Sequence, residues 1–364
     1  MPADTSEQIK PAADGVLAGA DAIVLGPPSV LANWVFDLVR EACALSPRRT
    51  EVVVVDRTDA FDPASDGVQR VYISHYPSVS LRSEWLRTAG PVLICLDDPV
   101  DSVRFILQSA GGGVIDALRV QTIAAAPYAE LRDHPRLLIL HRLAEGDAAG
   151  IVDALLDHLD LGLSESNRAA VRANRLPPDQ PEADLEAALA ARAPGYAPLG
   201  ENALSQKDVA MIGGVLSPLL QMSFRDTGGP VVWPVEAFLS GDKPNTPASL
   251  VAELTGGARI LYYGPYLYLP PGSWKVRMMV GFSADARSMP FSVEVYAADR
   301  LLAIATMSAE RHGVYHADFG FAHDTPLQPV ELRVRTDRGA IEGRVALGSV
   351  EFTRETASQR AGAG

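Results

Sequence analysis

The chain has 364 residues, with 32 Lys+Arg against 45 Asp+Glu and a formal net charge of −13. That balance argues against nucleic acid or an anionic membrane as a general partner, because both need basic surface. The only cysteines are Cys43 and Cys95, which excludes a disulfide framework, and the hydrophobic share of 47% supplies material for real cores.

Length predicts two or three domains of about 100–200 residues. The opening residues, MPADTSEQIKPAADGV, show no basic segment followed by an apolar run. No apolar run reaches the roughly 18–20 residues that a membrane helix needs. The expectation is a cytoplasmic protein without a transmembrane segment, with self-association left open.

Residues 1–14 are polar and expected to be mobile. Ala22–Leu25 (AIVL) reads as a strand ended by Gly26-Pro27-Pro28, since consecutive prolines cannot continue a central strand. Ser29 is placed to cap a helix carrying Leu31, Trp34, Val35, Leu38 and Val39. Further strands are predicted at 51–55 (EVVVV), 71–74, 92–96 (VLICL) and 137–140 (LLIL), with helix-patterned segments between them. This alternation predicts an α/β domain with a parallel sheet over residues 15–224. Residues 148–161 are amphipathic, whereas 164–204, rich in Ala, Pro and charge, read as a loose helical excursion or linker. Another helix is expected at 209–222. Residues 225–257 read as a connector. From 258 to 354 the apolar period shortens to two, with turns such as PPG and TDRG, predicting an antiparallel, jelly-roll-like β-sandwich. Residues 355–364 are expected to form a flexible tail.

A strand, a turn and a helix opening is where α/β proteins bind phosphate. Here that loop is GPPSVLANW, residues 26–34, with one glycine and no cation. The segment, followed by VYISHYP (71–77), VLICLDDPVDSVRF (92–105) and PRLLILHRLAEGDAAGIVDALLDHLDLGL (135–163), resembles the bacterial sulfotransferase family in motif order over residues 20–222. The resemblance implies a P-loop/sulfotransferase-like fold and transfer of sulfuryl from PAPS (3′-phosphoadenosine 5′-phosphosulfate). It places the cofactor loop on Ser29, Asn33 and Trp34. The family's loop cation falls on Ser29, and its 3′-phosphate arginine falls on Asp97. An Asp for an Arg turns a charge-assisted contact into repulsion. The implied cofactor site is therefore degenerate, and His75 is the one residue left as a catalytic candidate, set against ordinary turn hydrogen bonding. Asp97-Asp98 reads as a cap ahead of Pro99 rather than a metal pair, and Gly111–Gly113 as a helix stop.

The second half opens with four tyrosines and a tryptophan within 13 residues: Tyr262, Tyr263, Tyr266, Tyr268 and Trp274. Strict alternation would put Tyr262, Tyr266 and Tyr268 on one face and Tyr263 on the other. Flat rings with polar tips suit stacking on sugars or packing at interfaces. Residues 230–353 resemble a β-sandwich module of polysaccharide-biosynthesis proteins, which implies carbohydrate association. His312, His316 and His323 with Asp318 and Asp324 fit no standard metal spacing; calcium is left open.

The expected function is non-catalytic binding of a glycan or a protein partner, linked to bacterial polysaccharide biosynthesis or surface-glycan recognition, with no cofactor. One alternative is a PAPS-dependent sulfotransferase acting on a glycan, with Arg82, Arg87 or Arg104 holding the PAPS or PAP phosphates. A second alternative is a structural subunit of a larger assembly.

Overall fold

The computed structural model describes residues 21–56, 67–143, 146–180, 182–192, 204–225 and 228–355. The expected mobile start (1–14) and the tail from 356 lie outside the described residues.

The first half alternates strands and helices. β1 (Ala22–Leu25) leads through α1 (Val30–Ala44) to β2 (Thr50–Val54), then β3 (Gln69–Ser74) and α2 (Val79–Trp85). β4 (Val92–Leu96), α3 (Pro99–Ala110), α4 (Val114–Ala125) and β5 (Leu137–His141) follow. The half closes with α5 (Ala148–Leu159), α6 (Glu165–Arg175), α7 (Leu185–Arg192) and α8 (Gln206–Gln221). The strands pair in parallel, in the order β2-β3-β1-β4-β5. β1 and β4 are buried along their whole length, as expected for strands covered on both faces. Helices α1, α5, α6 and α7 cover one face, while Leu81 and Trp85 of α2, Tyr128 and the end of α8 cover the other.

Ser29 caps α1, accepting from the Ala32 N–H at 3.1 Å. Asp98 caps α3 through the N–H groups of Val100 and Asp101, and Gly111 ends α3 with φ +70. The capping readings at both places hold. Residues 164–192 are not a loose linker: Val171, Leu185, Ala188 and Leu189 pack into the core shared by α1 and α5. One apolar residue per turn of a charged, Ala-rich helix gives little periodic signal, yet suffices to seat it.

The second half is an antiparallel sandwich. One sheet runs β13-β10-β15-β6, with β8 also pairing β15; the other runs β12-β11-β14-β9-β7. Their ranges are β6 Val231–Trp233, β7 Leu239–Ser240, β8 Val251–Glu253, β9 Ile260–Leu267, β10 Gly272–Phe282, β11 Phe291–Ala297, β12 Arg300–Met307, β13 Gly313–His323, β14 Val330–Thr336 and β15 Arg344–Arg354. The stretch 225–257 is therefore more than a connector, because it supplies β6, β7 and β8. Strands of two or three residues are too short to show a period and form only against the edges of β15 and β9.

The two halves share one core. Val103 and Ile106 of α3, Leu118 of α4 and Ile212 and Leu216 of α8 run into Trp233, Phe238 and Trp274 of the sandwich. Polar contacts cross the same seam: Arg119 Nε donates to Pro265 O at 2.8 Å, and Tyr268 N–H donates to Thr122 Oγ1 at 3.2 Å.

Candidate functional sites

Open parallel sheets bind ligands beyond the carboxyl ends of their strands, where the strand order reverses. Here that place lies beyond β1 and β4. Gly26, Pro27, Pro28 and Ser29 are buried there. A Cβ at Gly26 would lie 2.7 Å from the Ala32 Cβ, so the loop is pressed onto its own helix. Gln121 Nε2 clamps it further by donating to Pro28 O at 2.8 Å.

The first turn of α1 already holds an anion. Asp97, 3% exposed, accepts the Leu31 N–H at 3.1 Å on Oδ2. Its Oδ1 accepts the Asp98 N–H at 2.8 Å and Arg142 Nη1 at 3.0 Å. Arg142 also meets Asp101 at 3.1 Å and pairs with Glu186 of α7. A helix N-terminus and a cation, the usual means of holding a phosphate, are thus taken by a carboxylate of the same chain. Ser29 spends its hydroxyl on the cap. These groups do not fit a 5′-phosphosulfate.

His75 is also engaged. Its Nδ1 lies 2.9 Å from Gly26 O and its Nε2 3.1 Å from the Asn33 side-chain amide. Burial lowers its pKa, so the ring is neutral near pH 7. Both nitrogens face oxygens, so a neutral ring that donates Nδ1–H to the Gly26 carbonyl requires the Asn33 amide turned to present its NH2 in place of Oδ1. Both ring nitrogens lie against polar partners, and the histidine ties the β3 turn to the β1 loop and α1. Asp56 Oδ1 fixes that turn, accepting from Ser74 Oγ and the N–H groups of His75 and Tyr76 at 2.7–3.1 Å. Trp34 is buried beside a cavity of about 280 Å³ that Asn33, Arg175 and Arg192 also line. Arg175 is bound to Glu41 at 2.9 Å. The other expected phosphate contacts are spent: Arg82 grips Glu130 with two bonds of 2.5–2.6 Å, Arg87 meets Glu84 and Arg104 meets Asp101.

In the sandwich the aromatic run divides. Tyr262 and Trp274 are each 1% exposed. The Tyr262 hydroxyl donates toward the carbonyls of Leu250 and Val345, and Trp274 Nε1 donates to Pro270 O. Both are core residues with no face for a ligand, which corrects their place among the binding candidates. Tyr268 is half-buried at the seam with α4. Tyr263 and Tyr266, three residues apart, reach the same outer side. Strict alternation fails because Val330 pairs with Leu267 and Glu331 with Pro265, leaving Tyr266 as an extra, bulged residue with φ +67.

The two rings meet edge-on, with centroids 6.3 Å apart. Around them stand Arg119, 5.7 Å from the Tyr266 centroid, and Asn245, whose N–H donates to the Tyr263 hydroxyl at 3.2 Å. The Tyr266 hydroxyl donates to Glu331 Oε1 at 3.0 Å; burial and that carboxylate push its pKa up to about 12. Arg333 pairs with Glu331 at 2.7 Å and lies 4.3 Å over the Tyr296 ring. Arg119 and Asn245 also line a cavity of about 510 Å³, together with Asp116, Glu236, Phe238 and Met211. Arg119 and Asn245 therefore join the two tyrosines to a cavity at the seam of the two halves whose lining carries both signs of charge. Sequence reading found the tyrosines but not Arg119 or Asn245. Arg119 is 147 residues from Tyr266, and no local pattern joins them.

The histidine cluster does not assemble. His316 and Asp318 face outward on β13, where Asp318 accepts from Arg277 at 2.9 Å, while His323 points inward. Among the described residues no group of three or more His, Cys, Asp or Glu side chains is placed to hold a metal ion. None of the described helices is long and apolar enough to cross a membrane.

No family model and no curated protein matches the chain. Among solved structures, it is similar to a xylan-binding module at 14% identity over 35% of this chain and 99% of that one, TM-score 0.25. It is similar to a carbohydrate-binding module of a Cellvibrio mixtus lichenase in complex with cellotriose at 11% identity, over 34% and 99%, TM-score 0.22. A cleaved adhesin domain of Lys-gingipain from Porphyromonas gingivalis aligns at 13% identity, over 35% and 100%, TM-score 0.25.

Proposed function

We propose that the chain is a non-catalytic glycan-binding protein whose binding face is the groove beside Tyr263 and Tyr266. The observation that carries this is the bulge at Tyr266. It turns two tyrosine rings to one side, next to a cavity of about 510 Å³ rimmed by Arg119, Asp116 and Asn245. Sugar rings present apolar C–H faces and dense hydroxyls. Tyrosine faces take the first, and a mixed set of donors and acceptors takes the second. A net charge of −13 disfavours a polyanionic glycan, so the ligand is a neutral polysaccharide or oligosaccharide.

The α/β half serves as scaffold. Its parallel sheet, its β1–α1 loop and the order of its sequence motifs support descent from a sulfotransferase-like domain whose phosphate loop has closed on Asp97. This reading takes no PAPS and assigns no reaction. The link to bacterial polysaccharide biosynthesis or surface-glycan recognition is part of the same proposal.

A glycan array probed with the full chain tests it, followed by calorimetric titration of the best neutral oligosaccharide. Binding that Tyr266→Ala weakens about tenfold is the expected result. A folded chain that binds no glycan on the array overturns the proposal.

A further inference from the structure

We infer a second ligand site on the sandwich, at the cleft between the edge strands β12 and β13, that takes a sugar unit of a neutral glycan with His323 as its hydrogen-bonding centre. This goes beyond the tyrosine groove and uses none of its residues. In the sheet order β12-β11-β14-β9-β7, β12 lies three strands from β9, about 14 Å away.

His323 is 2% exposed, yet neither ring nitrogen makes a hydrogen bond of good geometry, the Leu269 backbone being the one group that approaches the ring. Buried polar side chains are nearly always paired, so one whose two nitrogens lack a good partner calls for a ligand or water. The ring lines a cavity of about 430 Å³ with Ser273, Arg300, Leu301, Leu302 and Asp324. Arg300 and Asp324 are bound to each other at the exposed rim.

The chemistry of these groups selects the ligand. Burial pushes the His323 pKa down to about 4, so at neutral pH the ring is uncharged. One nitrogen then donates and the other accepts. A hydroxyl group does both and answers either nitrogen. A phosphate or carboxylate needs donors and a free positive charge; here the ring is neutral and Arg300 is neutralised by Asp324. Leu301 and Leu302 offer apolar surface for the C–H side of a sugar ring.

The cleft also has room for a chain. A second cavity of about 470 Å³ lies farther along the same two strands, lined by Met307, Tyr315 and Phe319. The eight residues of β12 span about 26 Å, enough for several sugar rings in line.

The test is a titration of the full chain, uniformly labelled with ¹⁵N, with cellotriose and separately with xylotriose. Saturable movement of the His323 ring resonances with at least one of the two is expected. It should be kept in Tyr266→Ala, while the Leu301 and Leu302 amide shifts that accompany it should be lost in His323→Phe. His323 resonances unmoved by both sugars in the folded protein overturn the inference. Movement confined to groups near Tyr266 overturns it too while sparing the tyrosine groove; loss of the tyrosine response with His323 still moving does the reverse. If His323→Phe does not fold, Arg300→Ala at the exposed rim replaces it. That variant should weaken the response about tenfold, as loss of one charge-assisted hydrogen bond does, and an unchanged affinity counts against the site.

Discussion

The carboxyl edge of the parallel sheet and the open edge of the sandwich differ in what their buried polar atoms do. At the sheet edge the groups that would hold a phosphate are already answered, although the Trp34 Nε1 beside its cavity is not. Asp97 holds the Leu31 and Asp98 N–H groups and Arg142, Ser29 caps its helix, and both nitrogens of His75 are engaged. At the sandwich edge His323 is as deeply buried as Asp97 and lines a cavity, but its nitrogens make no hydrogen bond of good geometry. Burial alone therefore does not mark a site. What separates closed scaffold from candidate surface is whether buried donors and acceptors find partners inside the chain.

The sharpest way to break this contrast is Asp97→Ala. The variant leaves the Leu31 and Asp98 N–H groups without their acceptor and Arg142, with a side chain only 12% exposed, with Asp101 and Glu186 alone. Each buried donor left without its acceptor costs about 1–3 kcal/mol. Urea denaturation of the full chain should show a loss of that size. A loss under about 1 kcal/mol would mean that the carboxylate does not hold the crevice shut.

Asp97 also shows how far the sequence carries. That its charge is wrong for a phosphate is visible from one residue in one motif. That it sits as the anion on the α1 N-terminus depends on Arg142, 45 residues away, and on a helix turn packed against it. Within the parallel sheet, strands such as VLICL announce themselves because burial on both faces demands an unbroken apolar run. The helices at 165–192 and the strands β6, β7 and β8 do not, since each is stabilised by packing on an existing surface rather than by its own pattern. The tyrosine parity is misread for a related reason. Alternation assumes a regular ladder, and the bulge at Tyr266 breaks the ladder where the rings matter most.

The next prediction concerns pH and sharpens the sandwich side of the contrast. Burial holds His75, His158 and His323 below the ordinary histidine value, His323 at about 4. An unfolded histidine titrates near 6.5. Between those values the unfolded chain binds more protons, so stability falls as pH drops from about 6.5 toward 4. His323 contributes at most about 3 kcal/mol to that fall. Denaturation midpoints measured across this range should therefore depend on pH less steeply in His323→Phe than in the parent. Equal slopes would show a ring that is solvated or partnered, and the two edges would no longer differ.

Tyr266→Ala has a smaller effect and a different readout. Its loss should appear in glycan affinity, about tenfold or about 1.4 kcal/mol, with the pH profile of stability unchanged. Tyr263→Ala should act in the same direction, because its ring stands beside Tyr266 and its hydroxyl accepts from Asn245. If neither substitution changes glycan binding while the chain stays folded, the groove at the seam is not where the ligand sits.

The last expected effect is none at all. PAP carries the 3′- and 5′-phosphates that a sulfotransferase-like fold would grip at its first loop and at the position of Asp97. At a concentration 100 times its Kd, a ligand adds about 2.7 kcal/mol of stability, a rise in melting temperature that is easily measured. With Asp97 seated on the α1 N-terminus and Arg82, Arg87 and Arg104 each bound to a carboxylate, PAP should leave the melting temperature where it is. A saturable rise would point to the cavity beside Trp34, where Arg175 and Arg192 stand, and would return the α/β half to nucleotide chemistry. Repeating the titration on Asp97→Ala separates two causes of a flat response. If the carboxylate is what excludes the phosphate, its removal restores some response to PAP. If the loop is closed by packing, with Gly26 against Ala32 and Gln121 on Pro28, the variant stays as silent as the parent.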